Sequence, residues 1–225
     1  MKIVFTLLLF LTAVSVTFAQ KDSLKLGDRY ADDQIYASIS YAQFYNQPTP
    51  IFKSNFSYSL SLGFIKDFIL NKEGTISVAG GVGYGFDFFN HKLKVQEINN
   101  TTIFSSDAAI SSNLFQSHNL EFPLEFRWRT STANKYDFWR IYGGVKFLYN
   151  MSNQFQFDDT NGATFNYNNI SNYNKLQYGL TLSAGYDEFN FNIFYGLTPV
   201  FENATINGEE INSKILKFGM IFYFL

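Results

Sequence analysis

The sequence predicts an all-β chain, an eight-stranded antiparallel up-and-down barrel of the transmembrane, outer-membrane type. Short periplasmic turns and long external loops join its strands. Three observations carry this. Eight segments alternate bulky apolar side chains with small or polar ones, the connections between them alternate long and short, and the N-terminus is built like an export leader. Successive side chains of a strand point to opposite faces. The run Phe56-Ser-Tyr-Ser-Leu-Ser-Leu-Gly-Phe64 therefore has one wholly apolar face and one of only serine and glycine. That division suits a wall with lipid outside and a crowded polar lumen inside.

Composition agrees. Aromatics make up 20 % of the 225 residues, with 27 Phe, 15 Tyr and 2 Trp, and there is no cysteine. Charged residues are 16 %, below the roughly 25 % usual in soluble domains. Mean hydropathy is −0.09 because inward polar residues offset outward apolar ones. Residues 1–19 read as a secretory signal peptide: Lys2, an apolar run from Ile3 to Val14, then Thr17 and Ala19 where a leader peptidase needs small side chains. Loss of Lys2 with the leader takes 17 basic residues to 16 against 19 acidic, a balance of −3 that excludes a nucleic-acid partner.

Residues 20–33 form a charged periplasmic arm, and residues 34–225 the barrel. The first segment, Gln34 to Phe44, turns Ile35, Ala37, Ile39 and Tyr41 to one face, and the second is the run from Phe56. The turn Asn71-Lys72-Glu73-Gly74 leads to the third, Thr75 to Phe88, with Val78, Val82, Tyr84 and Phe86 outward and Gly81, Gly83, Gly85 and Asp87 inward. Inward glycines suit a narrow, tightly curled barrel.

Asn90 to Asn113 reads as a long loop. The fourth segment sends Leu120, Phe122, Leu124, Phe126 and Trp128 outward, and Glu121, Glu125, Arg127 and Arg129 inward. Pro123 lies within it. A closed barrel has no free edge for the missing donor, so a bulge is expected there. After the turn Ser131 to Asp137, the fifth segment, Phe138 to Met151, sets Arg140 and Lys146 inward, and Ser152 to Asn172 reads as a second long loop.

The sixth segment opposes Leu176, Tyr178, Leu180 and Leu182 to Lys175, Gln177, Gly179 and Thr181. Asp187-Glu188 reverses the chain into the seventh, with Phe189, Phe191 and Ile193 outward. Glu202 to Asn212 is the last loop, and the eighth segment, Ser213 to Leu225, ends the chain with an aromatic-rich strand.

The inward charges are Asp87, Glu121, Glu125, Arg127, Arg129, Arg140, Lys146, Lys175 and Lys217. In so narrow a space ions must pair, so they are expected to form a structural network that fills the lumen rather than an ion path. A lipid-modifying reaction is the catalytic alternative. His91 and His118 are the two histidines, both near the outer mouth, with Ser111, Ser112, Ser117 and Asp107 nearby. Ser117 and His118 are neighbours on a strand and point to opposite faces, so solvated histidines are expected instead of a catalytic pair.

The acidic pairs Asp158-Asp159 and Glu209-Glu210 lack a calcium-loop pattern and read as solvated. The loop aromatics Phe44, Tyr45, Phe104, Phe155, Phe157, Phe165 and Tyr167 read either as anchors for a partner protein or as an upper aromatic girdle. No catalytic residue, metal, cofactor or small-molecule substrate is expected. Outer-membrane lipid is the expected surrounding.

The run Leu120-Glu-Phe-Pro-Leu-Glu-Phe126, the later Tyr142-Gly143-Gly144 and the early stretch Asp28-Arg-Tyr-Ala-Asp-Asp-Gln34 resemble the PorT-like family of outer-membrane barrels. The resemblance spans essentially the whole exported chain through short motifs. It implies a non-enzymatic accessory component of the type IX secretion system, acting with other envelope proteins. It also implies that Pro123 marks a family-wide bulge, and no catalytic residue transfers with it. The alternative is a stand-alone surface barrel for adhesion or envelope stability.

Overall fold

A computed structural model describes residues 33–48, 56–91, 93–99, 101–106, 110–130, 139–159, 161–187 and 189–224. The expected leader, nearly all of the arm, the turn after Thr130 and Asp107 lie outside the described residues. The strands are β1 (Gln34–Tyr45), β2 (Tyr58–Ile69), β3 (Ile76–Asn90), β4 (Lys94–Ile98), β5 (Thr101–Ser105), β6 (Ile110–Arg129) and β7 (Trp139–Asp159). They continue with β8 (Thr164–Asn168), β9 (Leu176–Tyr186), β10 (Phe189–Gly196), β11 (Thr205–Ile206), β12 (Glu209–Glu210) and β13 (Lys214–Phe224).

Eight of these make the barrel. The hydrogen-bonded order runs β6-β3-β2-β1-β13-β10-β9-β7, and a β6–β7 pairing closes it. Every pairing is antiparallel. Ile35 lies opposite Phe224, so the first and last barrel strands meet at the end that carries the short connections. In outer-membrane barrels that end is periplasmic.

Alternation gives the barrel two unlike surfaces. Leu60, Leu62, Phe64 and Phe68 of β2 are exposed on the outer wall, while Ser59, Ser61, Ile65 and Asp67 between them are buried. The outer face continues through Val78, Val82, Leu124, Phe126, Trp128, Leu180, Phe191 and Phe218. So broad an apolar surface is stable only against lipid. Inside, the Tyr36 ring lies across Gly63, where a β-carbon would come 2.5 Å from it. Glycine there is a packing requirement.

Two expectations are corrected. Pro123 makes no bulge. Its pairing with Lys146 of β7 is regular, and the β3–β6 register is the same at Gly80↔Leu124 as at Gly83↔Glu121. The ladder lapses for the rungs between those two pairs and resumes without a shift, so the missing donor is accommodated without an extra residue.

The β6–β7 ladder shifts register elsewhere, between Ile110 and Ser112 and between His118 and Asn119, and the second shift falls at the top of the barrel. His118 pairs with Ser152 and Asn119 with Asn150, which leaves Met151 of β7 unpaired. One extra residue exchanges the faces of everything beyond it. Before Met151 the even-numbered Arg140, Tyr142, Lys146, Leu148 and Asn150 are buried, and after it the odd-numbered Asn153, Phe155 and Phe157 are.

Ser152 to Asn172 is therefore not a loop throughout. β7 continues to Asp159 and turns back into β8, so that β6 and β7 reach 20 and 21 residues. About 9–11 residues suffice to cross the apolar band, so the outer halves project beyond it. The other two predicted loops likewise hold the β4–β5 hairpin with the start of β6, and the small β11–β12 hairpin.

Candidate functional site: paired charges in the lumen beneath an apolar outer core

The inward faces of the barrel strands assemble charge in three tiers. Nearest the short turns, Asp67 of β2 meets Arg129 Nη1 at 2.7 Å and Arg127 Nη1 at 3.5 Å, and it accepts a 2.8 Å hydrogen bond from Ser77. Arg127 Nε donates to Glu125 at 3.0 Å, and its guanidinium stacks 4.4 Å from the Tyr142 ring centre. Arg140 donates to the Asp187 carbonyl at 2.6 Å. Planar guanidinium groups serve this tier because they bond carboxylates and carbonyls while stacking on aromatic faces.

In the middle tier Glu121 accepts from Lys146 at 3.0 Å, from Tyr36 at 3.1 Å and from Ser61 at 2.9 Å. In the outer tier Lys217 meets Asp87 at 2.6 Å, and Asn119 and Ser117 donate to the same carboxylate at 3.1 and 3.4 Å. Asn150 extends this cluster to Asn119 at 2.9 Å.

Among the described residues, five buried cations face four buried carboxylates. Each carboxylate has a cation within 3.0 Å. An ion taken out of water without such a partner would cost several kcal/mol.

Eight of the nine predicted lumenal charges are thus buried inside the barrel. Lys175 is the exception. It is exposed at a bend before β9, where the chain has left the barrel ladder and its carbonyl accepts from the Asn150 amide at 2.8 Å. Sequence reasoning missed Asp67, the acceptor that holds two arginines. The signal was there: Asp67 has the same parity as Ser59 and Ser61, had the alternation been followed past Phe64.

Above the outer tier the interior becomes apolar. Phe44, Phe89, Phe115 and Phe155 stack in series, with ring centres 4.2, 5.5 and 4.3 Å apart. Leu93, Val95, Ile170, Tyr173, Val200, Phe201, Ala204, Ile206 and Ile211 join them from the long connections in one buried cluster. Most of the loop aromatics are accordingly neither a free docking set nor a girdle. Phe44, Phe155 and Phe157 are buried, Phe104 and Tyr167 pack against the cluster, and Phe165 is partly exposed. Tyr45 differs: it stands half-buried on the outer face, stacked 4.8 Å from the exposed Tyr195, as a girdle residue would.

The histidines also differ from expectation. His91 is not solvated: it is buried edge-on to Phe44, Phe115 and Phe155. The Leu93 amide donates to its Nδ1 at 3.1 Å, so the ring proton sits on Nε2, which is buried without a partner among the described residues. Burial pulls the His91 pKa down from 6.5 to about 3, which keeps the ring neutral. Burial, and then the nearby Asp87 carboxylate, push the Tyr173 phenol above its ordinary value.

His118 is on the outer face, its Nδ1 2.5 Å from the Tyr84 hydroxyl. Ser117 points inward to Asp87, so this serine and this histidine do not act together. Asp158 and Asp159 fix the β7–β8 turn, accepting from Thr164 at 2.8 Å and from the Asn161 and Ala163 amides at 2.9 Å each. Among the described residues no three His, Asp or Glu side chains group to hold a metal ion.

No curated protein matches the chain. Residues 18–202 match the outer membrane protein beta-barrel domain. The match ends before β13, which the structure seats between β10 and β1 to complete the ring. With most of its length matched and a closed barrel with an apolar wall, the chain belongs to the outer membrane β-barrel protein family.

Proposed function

We propose that the chain is exported by its N-terminal leader and serves as a non-enzymatic, sealed barrel in the type IX protein secretion and gliding machinery. It would contact other envelope proteins through its loops, its periplasmic arm or its lipid-facing wall. The sealed lumen is the part that geometry supports most strongly. Three tiers of paired charge under a stacked aromatic core support it, since an eight-stranded barrel is narrow enough for side chains to fill. The secretion role is supported by the resemblance of residues 120–126, 142–144 and 28–34 to PorT-like barrels.

Deletion of the gene tests the role. Cargo should accumulate in the periplasm, and intact secretion would remove the reading. Affinity purification from detergent-solubilised outer membrane should bring secretion components with the barrel. Planar-bilayer recordings should show no steady conductance, and a reproducible selective current would overturn the sealed lumen.

A stand-alone surface barrel for adhesion or envelope stability is the second reading. It draws on the outer core, which packs within one chain. Recovery of the barrel alone, with secretion unimpaired, would favour it.

A further inference from the structure

The lipid-facing wall is indented over Gly80 of β3. A side chain is missing there, and the exposed Phe68, Val78, Leu124 and Phe126 stand around the gap. The hollow measures about 380 Å³ and its lining is almost wholly apolar. A β-carbon at Gly80 would find only Leu124 Cδ2 within 4 Å, at 3.4 Å, so the space opens to the membrane.

An ion pair borders this hollow. Lys66 of β2 lies directly across the ladder from Gly80, and its parity with Phe64 and Phe68 turns it outward. Lys66 Nζ meets Asp33 Oδ2 at 3.0 Å, and Asp33 Oδ1 accepts from the Asp67 amide at 2.8 Å. Asp33 immediately precedes β1, whose first residues pair at the end that carries the short turns. The pair therefore sits toward the periplasmic margin of the wall. Both side chains stay accessible, 58 % for Lys66 and 35 % for Asp33. An ammonium has more donors, and a carboxylate more acceptor sites, than one mutual contact uses. Ions beside lipid are costly unless polar groups reach them.

We propose that the Gly80 hollow and the Lys66–Asp33 pair form a site for one phospholipid of the periplasmic leaflet, whose headgroup carries a phosphate and a primary ammonium. Part of an acyl chain lies over Gly80 between Phe68 and Leu124. Lys66 donates to the phosphate, and Asp33 accepts from the ammonium. Such a lipid joins an apolar chain to both charges, so it complements the hollow and the ion pair together. A singly anionic headgroup would satisfy Lys66 and oppose Asp33. The inference rests on the lipid-facing wall and does not depend on the secretion role.

Native mass spectrometry of the full protein in detergent tests this, with dioleoyl phosphatidylethanolamine, phosphatidylcholine or phosphatidylglycerol added separately. Wild type should retain one phosphatidylethanolamine roughly fivefold more tightly than either other lipid, the scale of an exposed ionic contact. Gly80→Leu fills the hollow and Lys66→Met removes the phosphate donor, so each should weaken that retention by a similar factor. Asp33→Asn keeps an acceptor for the Asp67 amide and should erase the preference over phosphatidylcholine. Heat-modifiable gel migration should show every variant folded. Equal retention of the three lipids by wild type, or undiminished retention by Gly80→Leu, overturns the proposal. A wild-type dimer that Gly80→Leu abolishes would assign the hollow to a second copy and overturn it as well.

Discussion

Lys217 of β13 reaches across the lumen to Asp87 of β3, bringing Nζ within 2.6 Å of Oδ1 although 130 residues separate them in the chain. Both side chains are almost wholly buried, so each ion depends on the other. Removing one partner of a buried pair costs about 3–5 kcal/mol, whereas replacing both can be close to neutral. Lys217→Met should lower barrel stability by that amount in urea unfolding from lipid vesicles. The double variant Asp87→Leu/Lys217→Met should recover most of the loss. A single variant as stable as wild type would show that the pair does not matter to the fold.

Deletion of Met151 should separate barrel from outer core. Without the bulged residue, Phe155 and Phe157 would face the other way, and the stacked series would lose its last ring. The barrel below Asn150 keeps its register. Limited trypsin digestion should then cut readily at Lys94, which lies over the Phe157 ring in the native chain, while a protease-resistant membrane fragment survives. Equal resistance in both proteins would contradict the phase change.

Two glycines should respond oppositely to alanine. At Gly144 of β7 a β-carbon would land on the Leu124 carbonyl oxygen, backbone that cannot move aside. Gly144→Ala should cost at least 1–3 kcal/mol, as overpacking does. At Gly80 of β3, on the outer wall, the nearest atom would be Leu124 Cδ2 at 3.4 Å, an ordinary contact. Gly80→Ala should fold as well as wild type in a refolding assay.

His91 makes the outer core acid-sensitive. Its pKa is held at about 3 in the folded chain, against 6.5 for an exposed histidine. Between those values the unfolded segment binds the proton and the folded one does not, so stability rises with pH across that window and is flat above it. Lowering the pH from 6.5 should weaken the core by up to about 1.4 kcal/mol per pH unit, seen as faster amide exchange in residues 89–95. His91→Phe should abolish that dependence.

The membrane-crossing part was legible because one rule governs it: Leu60, Leu62, Leu124 and Phe126 needed only parity to be placed on the wall. The same rule placed Glu121, Arg127 and Lys217, and would have placed Asp67. What parity could not supply was a change of phase. Nothing in the sequence around Met151 announces an extra residue, because a bulge is set by register against β6. Beyond it Phe155 and Phe157 looked like loop aromatics, and His91 looked solvated. Their burial depends on connections from four parts of the chain meeting above the barrel. Lys175 failed for a related reason, since it lies one residue before its strand begins.

The account rests on an apolar wall turned toward lipid. The chain has 2 tryptophans, Trp128 and Trp139, and both stand on that wall, 41 % and 59 % exposed. Their fluorescence in vesicles is the most direct test. Lipids brominated on the upper acyl chain should quench it strongly, and acrylamide in the water should quench it little. Strong acrylamide quenching with no effect of the brominated lipids would contradict the account.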